Sequence, residues 1–381
     1  MEEWDFYKGF DSNDNDIGYI EKKSIDEMIS IASSTNLCIA FNTLGFLKSN
    51  VEYPLVKSPY FYESDGIFIH KSFNKQDETL EKMINKTLYP ISFSIPLEKI
   101  CPTMPIKTKI MSNLIPGDVS TYIYNNEEDY YDEYKKSYFA ITKKKAGWDC
   151  LRHYEIMANG CIPYFIDIEK CPINIISLCP KNLFLKGNLL YEKLKHKNEL
   201  STKDINEYNI LQKELLEYTK NHLTTLKMAE YILEKTNFQN VSKILFLSGN
   251  NNPDYLRCLT LHGFKTLLEK NCHDFPQISH IYKSDTIKME GLYGKGFTYA
   301  NLVDPTFHDN DLDNTIENDI RNKYYDIVIY GSYHKGMPYY DLISKVYNSN
   351  EIILLCGEDL HFCDYKKYLE KGHYVFVREL R

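Results

Sequence analysis

Between Ser137 and Pro172 the chain reads SYFAITKKKAGWDCLRHYEIMANGCIPYFIDIEKCP, its densest set of residues that could do chemistry. Lys143, Lys144 and Lys145 precede Gly147 and the start of an expected helix, on which Arg152 and Glu155 lie roughly on one side. The first N–H groups of a helix have no partner within it and carry the positive end of its dipole. With three lysines and an arginine beside them, they suit a diphosphate. A carboxylate one turn in, Glu155, could accept from both hydroxyls of a ribose.

Such groups act together only if regular elements hold them. Ser137-Tyr138-Phe139-Ala140-Ile141 reads as a strand, the lysines and Gly147 as a polar loop, and Asp149 to Asn159 as a helix. Gly160 stops that helix, because a left-handed residue after the last turn costs glycine least. Cys161 to Ile166 resumes as a strand. The loop thereby falls at the carboxyl end of a strand, where open α/β sheets bind ligands.

Residues 87–235 alternate strand and helix around this stretch. Ile91 to Ile95 alternates at period two and stops at Pro96, Thr121 to Tyr124 is a short strand, and Glu127 to Lys136 is an acidic, Tyr-rich helix; 200–235 is long, charged and helical. Residues 240–381 open on the apolar strand Lys243 to Leu247, broken by Ser248 to Pro253. A helix bearing Tyr255, Leu256, Leu259 and Leu261 runs to His262-Gly263. Strands at Asp326 to Tyr330, Glu351 to Leu355 and Tyr374 to Val377 follow, with a helix Tyr340 to Val346 between the first two. Apolar strands separated by helices predict a parallel sheet covered on both faces. Residues 1–75 read as a small α+β module: a turn over Asp11 to Asp16, a helix Ser24 to Ser33, and strands Leu37 to Phe41 and Gly66 to His70, with Phe73 to Lys86 as a charged linker. The expected fold is α/β, with two Rossmann-like halves around a cleft and the small module in front.

Ser137, Phe139, Gly147, Arg152, Glu155 and the run Ala158-Asn159-Gly160-Cys161-Ile162-Pro163 together resemble the nucleotide-sugar half of exostosin-like glycosyltransferases, which have the GT-B fold. A helix stop and a buried strand would account for Gly160 and Pro163, but not for Arg152, His153 and Glu155 beside three lysines. The resemblance implies transfer of a sugar from a nucleotide-diphosphate donor, a UDP-sugar first among them, to a glycan or glycoprotein acceptor. It implies that Arg152 contacts the donor phosphates and Glu155 the ribose, with Lys143, Lys145 and Gly147 in the same binding loop and Trp148 and His153 against the base or the sugar.

In that family the acceptor half comes first. Here Lys243 to Gly249 resembles the opening strand and loop of an acceptor half, and Gly357-Glu358-Asp359 with Tyr374 to Leu380 its closing strands. Tyr89 to Pro96 is what the usual order would place after Leu380. A circularly permuted GT-B enzyme is therefore expected, a rearrangement that neighbouring surface termini tolerate. An inverting transfer needs a base within reach of the acceptor hydroxyl. His334, after the strand ending at Tyr330, and Asp359, after the strand leading to Cys356, are the candidates; Asp254 reads rather as an N-cap.

Asp309-Asn310-Asp311-Leu312-Asp313 has the DxD spacing of metal-dependent GT-A transferases but reads as a solvated loop, as Glu127-Glu128-Asp129 reads as a solvated helix start. Asp11 to Asp16 lacks the loop of an EF-hand calcium site. No metal and no permanently bound cofactor is expected. Residues 1–75 faintly resemble a PAN/apple module without its cysteines, which leaves a binding appendage and a structural cap equally open.

At 381 residues and a net charge of −8 the chain is long for one domain and too acidic for a protein built to neutralise nucleic acid. No apolar run approaches the ~18 residues of a membrane helix, and the acidic first residues lack a signal-peptide core. A cytoplasmic protein without a membrane span is expected, in a host cell or virion if the chain is viral. Its 10 cysteines form no CxxC pair and read as reduced, buried thiols. The 32 tyrosines beside 2 tryptophans read as the codon bias of an AT-rich genome, as in some large DNA viruses, without chemical meaning. Absence of a GxGxxG run and of a P-loop disfavours nicotinamide and nucleoside-triphosphatase sites, and Ser248-Gly249-Asn250 is too poor in glycine for a methyltransferase. The competing function is a non-catalytic glycan-binding or assembly protein on an inactive GT-B body.

Overall fold

A computed structural model describes residues 3–12, 16–21, 23–35, 38–49, 51, 55–58, 61–71, 87–197, 199–286, 289–359 and 364–380. The chain divides into two units, Met1–Lys86 and Thr87–Arg381. The linker expected over Phe73 to Lys86 lies outside the described residues.

In the first unit, five antiparallel strands follow the order Trp4–Lys8, Gly66–His70, Ala40–Asn42, Phe46–Lys48, Asp16–Tyr19. Helix Ile25–Ser34 starts at a capping box in which Ser24 and Glu27 satisfy each other's backbone N–H. It buries Met28 and Ala32 against Trp4, Phe41 and Phe68, and the rings of Phe41 and Phe68 stack at 4.9 Å. Strands on a single helix were expected; Trp4–Lys8 was not, because its apolar and charged residues alternate too briefly to stand out.

Two parallel sheets build the second unit. The smaller has Ser137–Lys143 at its centre, with Ile162–Ile166 and Lys109–Met111 parallel on either side. Helix Leu151–Ala158 connects the centre strand to Ile162–Ile166 and ends, as expected, at Gly160 with φ 59°. Glu133, buried on helix Glu127–Lys136, accepts from Lys109 Nζ at 2.7 Å and from Ser112 Oγ at 3.0 Å, which fixes the short outer strand. Asn188, on helix Lys181–Leu194, bonds both the N–H and the C=O of Phe165 (2.7 and 2.8 Å) and so closes the open edge of Ile162–Ile166.

The larger sheet runs Cys272–Phe275, Ile244–Leu247, Ile327–Tyr330, Ile352–Cys356, Tyr374–Val377, Leu88–Pro90, every pair parallel. Its order reverses direction between Ile244–Leu247 and Ile327–Tyr330, the position where doubly wound sheets open a crevice. The strand that comes first in the unit, Leu88–Pro90, lies beside the last, Tyr374–Val377, and Ile91 N–H continues the ladder to Val377 C=O at 3.2 Å. The alternating run Ile91 to Ile95 is thus buried but mostly not strand, and the strand expected over Thr121 to Tyr124 does not form: Thr121 closes a 3-10 turn, Val119–Thr121, capped by Asp118, and 122–124 run on without regular structure.

The stretch read as one helical tract over 200–235 is two helices, Thr202–His222 and Thr225–Thr236. The second belongs with the larger sheet: Tyr231 OH donates to Pro90 C=O at 2.8 Å, its ring packs on Phe376, and Thr225 Oγ1 pairs with His262 Nδ1 at 2.9 Å. Both ends of the 87–235 segment therefore lie with the larger sheet. One buried apolar cluster runs from Phe139 and Phe165 through Met228 and Ile232 to Phe246 and Ile329. Of the cysteines, Cys356 departs from the reduced state expected of all: it is disulfide-bonded. No helix among the described residues is long and apolar enough to cross a membrane.

Candidate functional site

A cavity of about 710 Å³ opens between the carboxyl ends of the two parallel sheets. From the smaller sheet it is lined by Lys145, Gly147, Asp149, Arg152 and Glu155, with Tyr122, Tyr124 and Tyr130 beside them. From the larger it takes Asp254 and Tyr255 after strand Ile244–Leu247, Lys335 after Ile327–Tyr330, and Gly357, Glu358 and Asp359 after Ile352–Cys356. Every wall is thus a loop at a strand's carboxyl end or the helix start that follows it.

Arg152 stands in the first turn of helix Leu151–Ala158. Its Nη1 is buried and has no hydrogen-bond partner. An always-charged guanidinium with one buried donor left unmet favours an anion on that side of the cavity. One turn on, Glu155 is buried and holds one bond on each oxygen: Tyr130 OH donates to Oε2 at 2.7 Å and Thr298 Oγ1 to Oε1 at 2.6 Å. Burial raises the Glu155 carboxyl above its ordinary value, against the pull of those two bonds. A carboxylate has about four lone-pair sites, so two bonds leave capacity for two more donors. Tyr131 OH lies 2.6 Å from Thr298 Oγ1, and because that hydroxyl's proton goes to Glu155, Tyr131 is the donor to it.

Gly147 is required by what sits beneath it. A Cβ there would lie 2.5 Å from Glu379 Oε1. Glu379 accepts from the Asp149 N–H at 2.9 Å, while Arg378, with no exposed side-chain surface, donates to the carbonyls of Asp149 and Gly357 and pairs with Asp359. Asp149, also buried, accepts from Phe93 N–H at 2.7 Å and Tyr154 OH at 2.9 Å. Burial pushes its carboxyl up to about 6, although Arg378 opposes the shift. Burial likewise raises Glu379. An arginine and two acids, Asp149 lying 230 residues before Glu379, thus form the floor of the loop.

Of the binding residues expected from sequence, the structure brings Lys145, Gly147, Arg152 and Glu155 together at the cavity. Lys143, exposed at the end of its strand, is not among the lining residues. Trp148 and His153 point the other way. Trp148 is buried near Phe165, and Lys144 Nζ lies 5.6 Å from its ring centre. His153 spends both ring nitrogens inside the fold, on Thr142 Oγ1 and Trp148 C=O, each at 2.8 Å, and burial lowers its pKa to about 3. A neutral imidazole with both nitrogens engaged has nothing to offer a sugar, so contact of either residue with base or sugar is replaced by a packing role.

The two candidate bases also separate. Asp359 lines the cavity with one oxygen held by Arg378. His334 sits behind the wall, its Nε2 2.8 Å from Oε1 of Glu358, which does line it; burial lowers the His334 pKa against the opposing charge of Glu358. Asp254 caps helix Tyr255–Leu268 through Arg257 N–H, as expected, and also takes Ser332 Oγ and Lys335 Nζ, both at 2.7 Å. Burial alone would raise Asp254, but Lys335 and the bonds to it hold the carboxyl below the usual carboxylate value.

Asp149, Thr298, Lys335, Arg378 and Glu379 were not singled out from sequence. The available signal was position: Arg378 and Glu379 directly follow the apolar strand Tyr374–Val377, and charged residues at the carboxyl end of a parallel strand face its crevice. Glu127, expected in a solvated helix start, instead pairs with Lys99 and accepts from Thr298 N–H. Comparisons of the chain with protein-family models, with curated proteins and with solved structures find no match.

Proposed function

We propose that the chain is a glycosyltransferase using a nucleotide-diphosphate sugar, with a permuted GT-B arrangement in which the smaller sheet holds the donor. The observation that carries this reading is the unpartnered Nη1 of Arg152 in a cavity that Glu155 also lines, both on one helix start. The diphosphate would lie on that helix start against Arg152 and Lys145, and the ribose hydroxyls would donate to the free lone pairs of Glu155. The position of Leu88–Pro90 next to Tyr374–Val377 supports the permutation, since a chain continuing from Leu380 would take that place.

The acceptor would enter from the larger sheet. Glu358 is the base in this reading, and His334, whose Nε2 lies 2.8 Å behind it without hydrogen-bond direction, is not the base itself. As the acceptor oxygen attacks the anomeric carbon, its proton passes to Glu358, and the bond to the donor phosphate breaks with its electrons on the diphosphate. Arg152 and Lys145 neutralise the charge that develops there. Asp359, tied to Arg378, holds the neighbouring loop in place.

Calorimetry with UDP, GDP and CMP, followed by product release from the corresponding sugar donors, tests the proposal. At least one nucleotide is expected to bind, with affinity roughly tenfold or more weaker in Arg152→Ala and Glu155→Ala, since charge-assisted bonds contribute about 1.5–3 kcal/mol each. If no nucleotide binds, or Glu155→Ala binds as well as the native chain, the reading fails. Glycan binding without release of any donor product would favour the non-catalytic alternative.

A further inference from the structure

Away from the cavity, on the outer strand of the larger sheet, His273 is 1% exposed and neither ring nitrogen has a hydrogen-bond partner. Its Nε2 lies 3.1 Å from Asp313 Oδ1, a separation without hydrogen-bond direction. The other oxygen of Asp313 lies 3.1 Å from Nε2 of His308, whose ring stacks on that of His273 at 5.4 Å. One carboxylate thus faces two imidazole nitrogens, with the three ligand atoms all within 4.8 Å of one another.

The second ring nitrogen of His308 is held from behind. Nδ1 lies 3.1 Å from Oδ1 of Asp274, a fully buried carboxylate that also accepts from Lys265 Nζ at 2.9 Å and from Tyr282 OH. An ionised carboxylate cannot donate, so Nδ1 carries a proton toward Asp274; Asp313 is a carboxylate too, so without an ion Nε2 carries one toward it, and a cation bound there would take that proton's place. With an ion in place of that proton, this is the arrangement that orients metal-bound histidines, a carboxylate behind the ring and a lone pair on the ion in front. Lys265 balances the charge of Asp274, which leaves Asp313 as the net negative group of the cluster.

We propose that His273 Nε2, His308 Nε2 and Asp313 form a binding site for a divalent transition ion of the zinc class. Bonds of about 2.0–2.1 Å in a tetrahedral ion set its ligands about 3.3 Å apart; each histidine Nε2 lies 3.1 Å from a different oxygen of Asp313 and the three ligand atoms lie within 4.8 Å, so binding would draw the two rings together around one carboxylate. Asp313 is part-exposed, so water can supply the fourth ligand. An ion there would tie the outer strand Cys272–Phe275, the turn Pro305–Phe307 and helix Asn310–Arg321 together, a structural role independent of the reaction. The Asp309 to Asp313 run is accordingly not the solvated loop expected: Asp309 caps the helix and Asp313 turns inward to the histidines.

The full chain, stripped with a chelator and titrated with zinc and with cobalt, tests this. About one ion per chain should bind, with visible bands of tetrahedral cobalt and a thermal midpoint that zinc raises and chelator lowers. Asp313→Asn, at a part-exposed position, should weaken zinc binding roughly tenfold or more with an unchanged circular dichroism spectrum. Failure of the native chain to bind either ion, a midpoint indifferent to zinc and chelator, or undiminished binding in Asp313→Asn overturns the proposal. A protonated His308 bridging two carboxylates would then explain the cluster.

Discussion

Thr298 Oγ1 donates to Glu155 Oε1 at 2.6 Å across 143 residues of sequence, so a loop that follows the larger sheet's outer strand fixes the carboxylate on helix Leu151–Ala158. Thr298 holds this position at φ 73°, a region costly for a β-branched residue, and its backbone N–H is engaged by Glu127. Thr298→Val keeps the shape and removes the donor. It should lower stability by about 1–3 kcal/mol, because Glu155 is left with an unmet buried lone pair, and weaken nucleotide binding several-fold. Chemical denaturation and calorimetry read the two effects; unchanged affinity would mean that Glu155 is placed without its partner across the cleft.

Gly147 and Glu379 form a second such contact, beneath the loop that precedes the same helix. A methyl group at Gly147 would lie 2.5 Å from Glu379 Oε1 and 3.3 Å from Arg378 Nη1. Glu379 is too enclosed to swing aside freely. Gly147→Ala is expected to cost about 1–3 kcal/mol through overpacking. Adding Glu379→Ala to it should cost less than the two single changes summed, because the clash disappears. Strict additivity in urea denaturation of the four proteins would show that the loop yields elsewhere.

Where the sequence was legible, each step was signalled locally. Apolar residues mark Ser137–Lys143, Ile244–Leu247, Ile327–Tyr330 and Ile352–Cys356, and Gly160 marks the helix end between Leu151–Ala158 and Ile162–Ile166. Arg152 and Glu155 follow from that local pattern. Cys272–Phe275 gave no such signal, because its buried core includes His273 and Asp274, whose partners lie on other elements. Side-chain direction was equally hidden. Trp148 and His153 have residue types that suit a binding site, but only the tertiary fold turns them toward Phe165 and away from the cavity. The tyrosines carry more than a codon bias, since Tyr130 and Tyr131 supply the hydroxyls that reach Glu155 and Thr298.

Two arginines, Arg152 lining the cavity and Arg378 buried beneath its loop, should separate binding from folding. Arg378 is fully buried and its charge is shared among Asp359, Glu379 and two carbonyls, so Arg378→Met leaves acids buried without their counter-charge. A loss on the order of 3–5 kcal/mol is expected. Arg152 has no such partner on Nη1, and Arg152→Met should change stability by at most about 1 kcal/mol while removing most nucleotide affinity. Denaturation midpoints and nucleotide calorimetry on both variants decide it. A large stability loss in Arg152→Met would place that side chain in the fold rather than in the site.

Asp149 should leave a signature in the pH dependence of stability. Its carboxyl is raised from 3.8 to about 6 in the folded chain, first by burial and against the opposing charge of Arg378. Between those values the folded state holds a proton that the unfolded chain has released, so the unfolding free energy falls as pH rises through this window. Above it the folded state carries the full cost of an ionised, buried carboxylate, on the order of 3 kcal/mol. Asp149→Asn has no proton to lose there. Relative to the variant, the native chain should therefore be more stable near pH ~4 than near pH ~7, with the difference developing across the same window. Urea denaturation of both proteins across that range measures it, and parallel curves would mean that Asp149 titrates alike in the folded and unfolded chain.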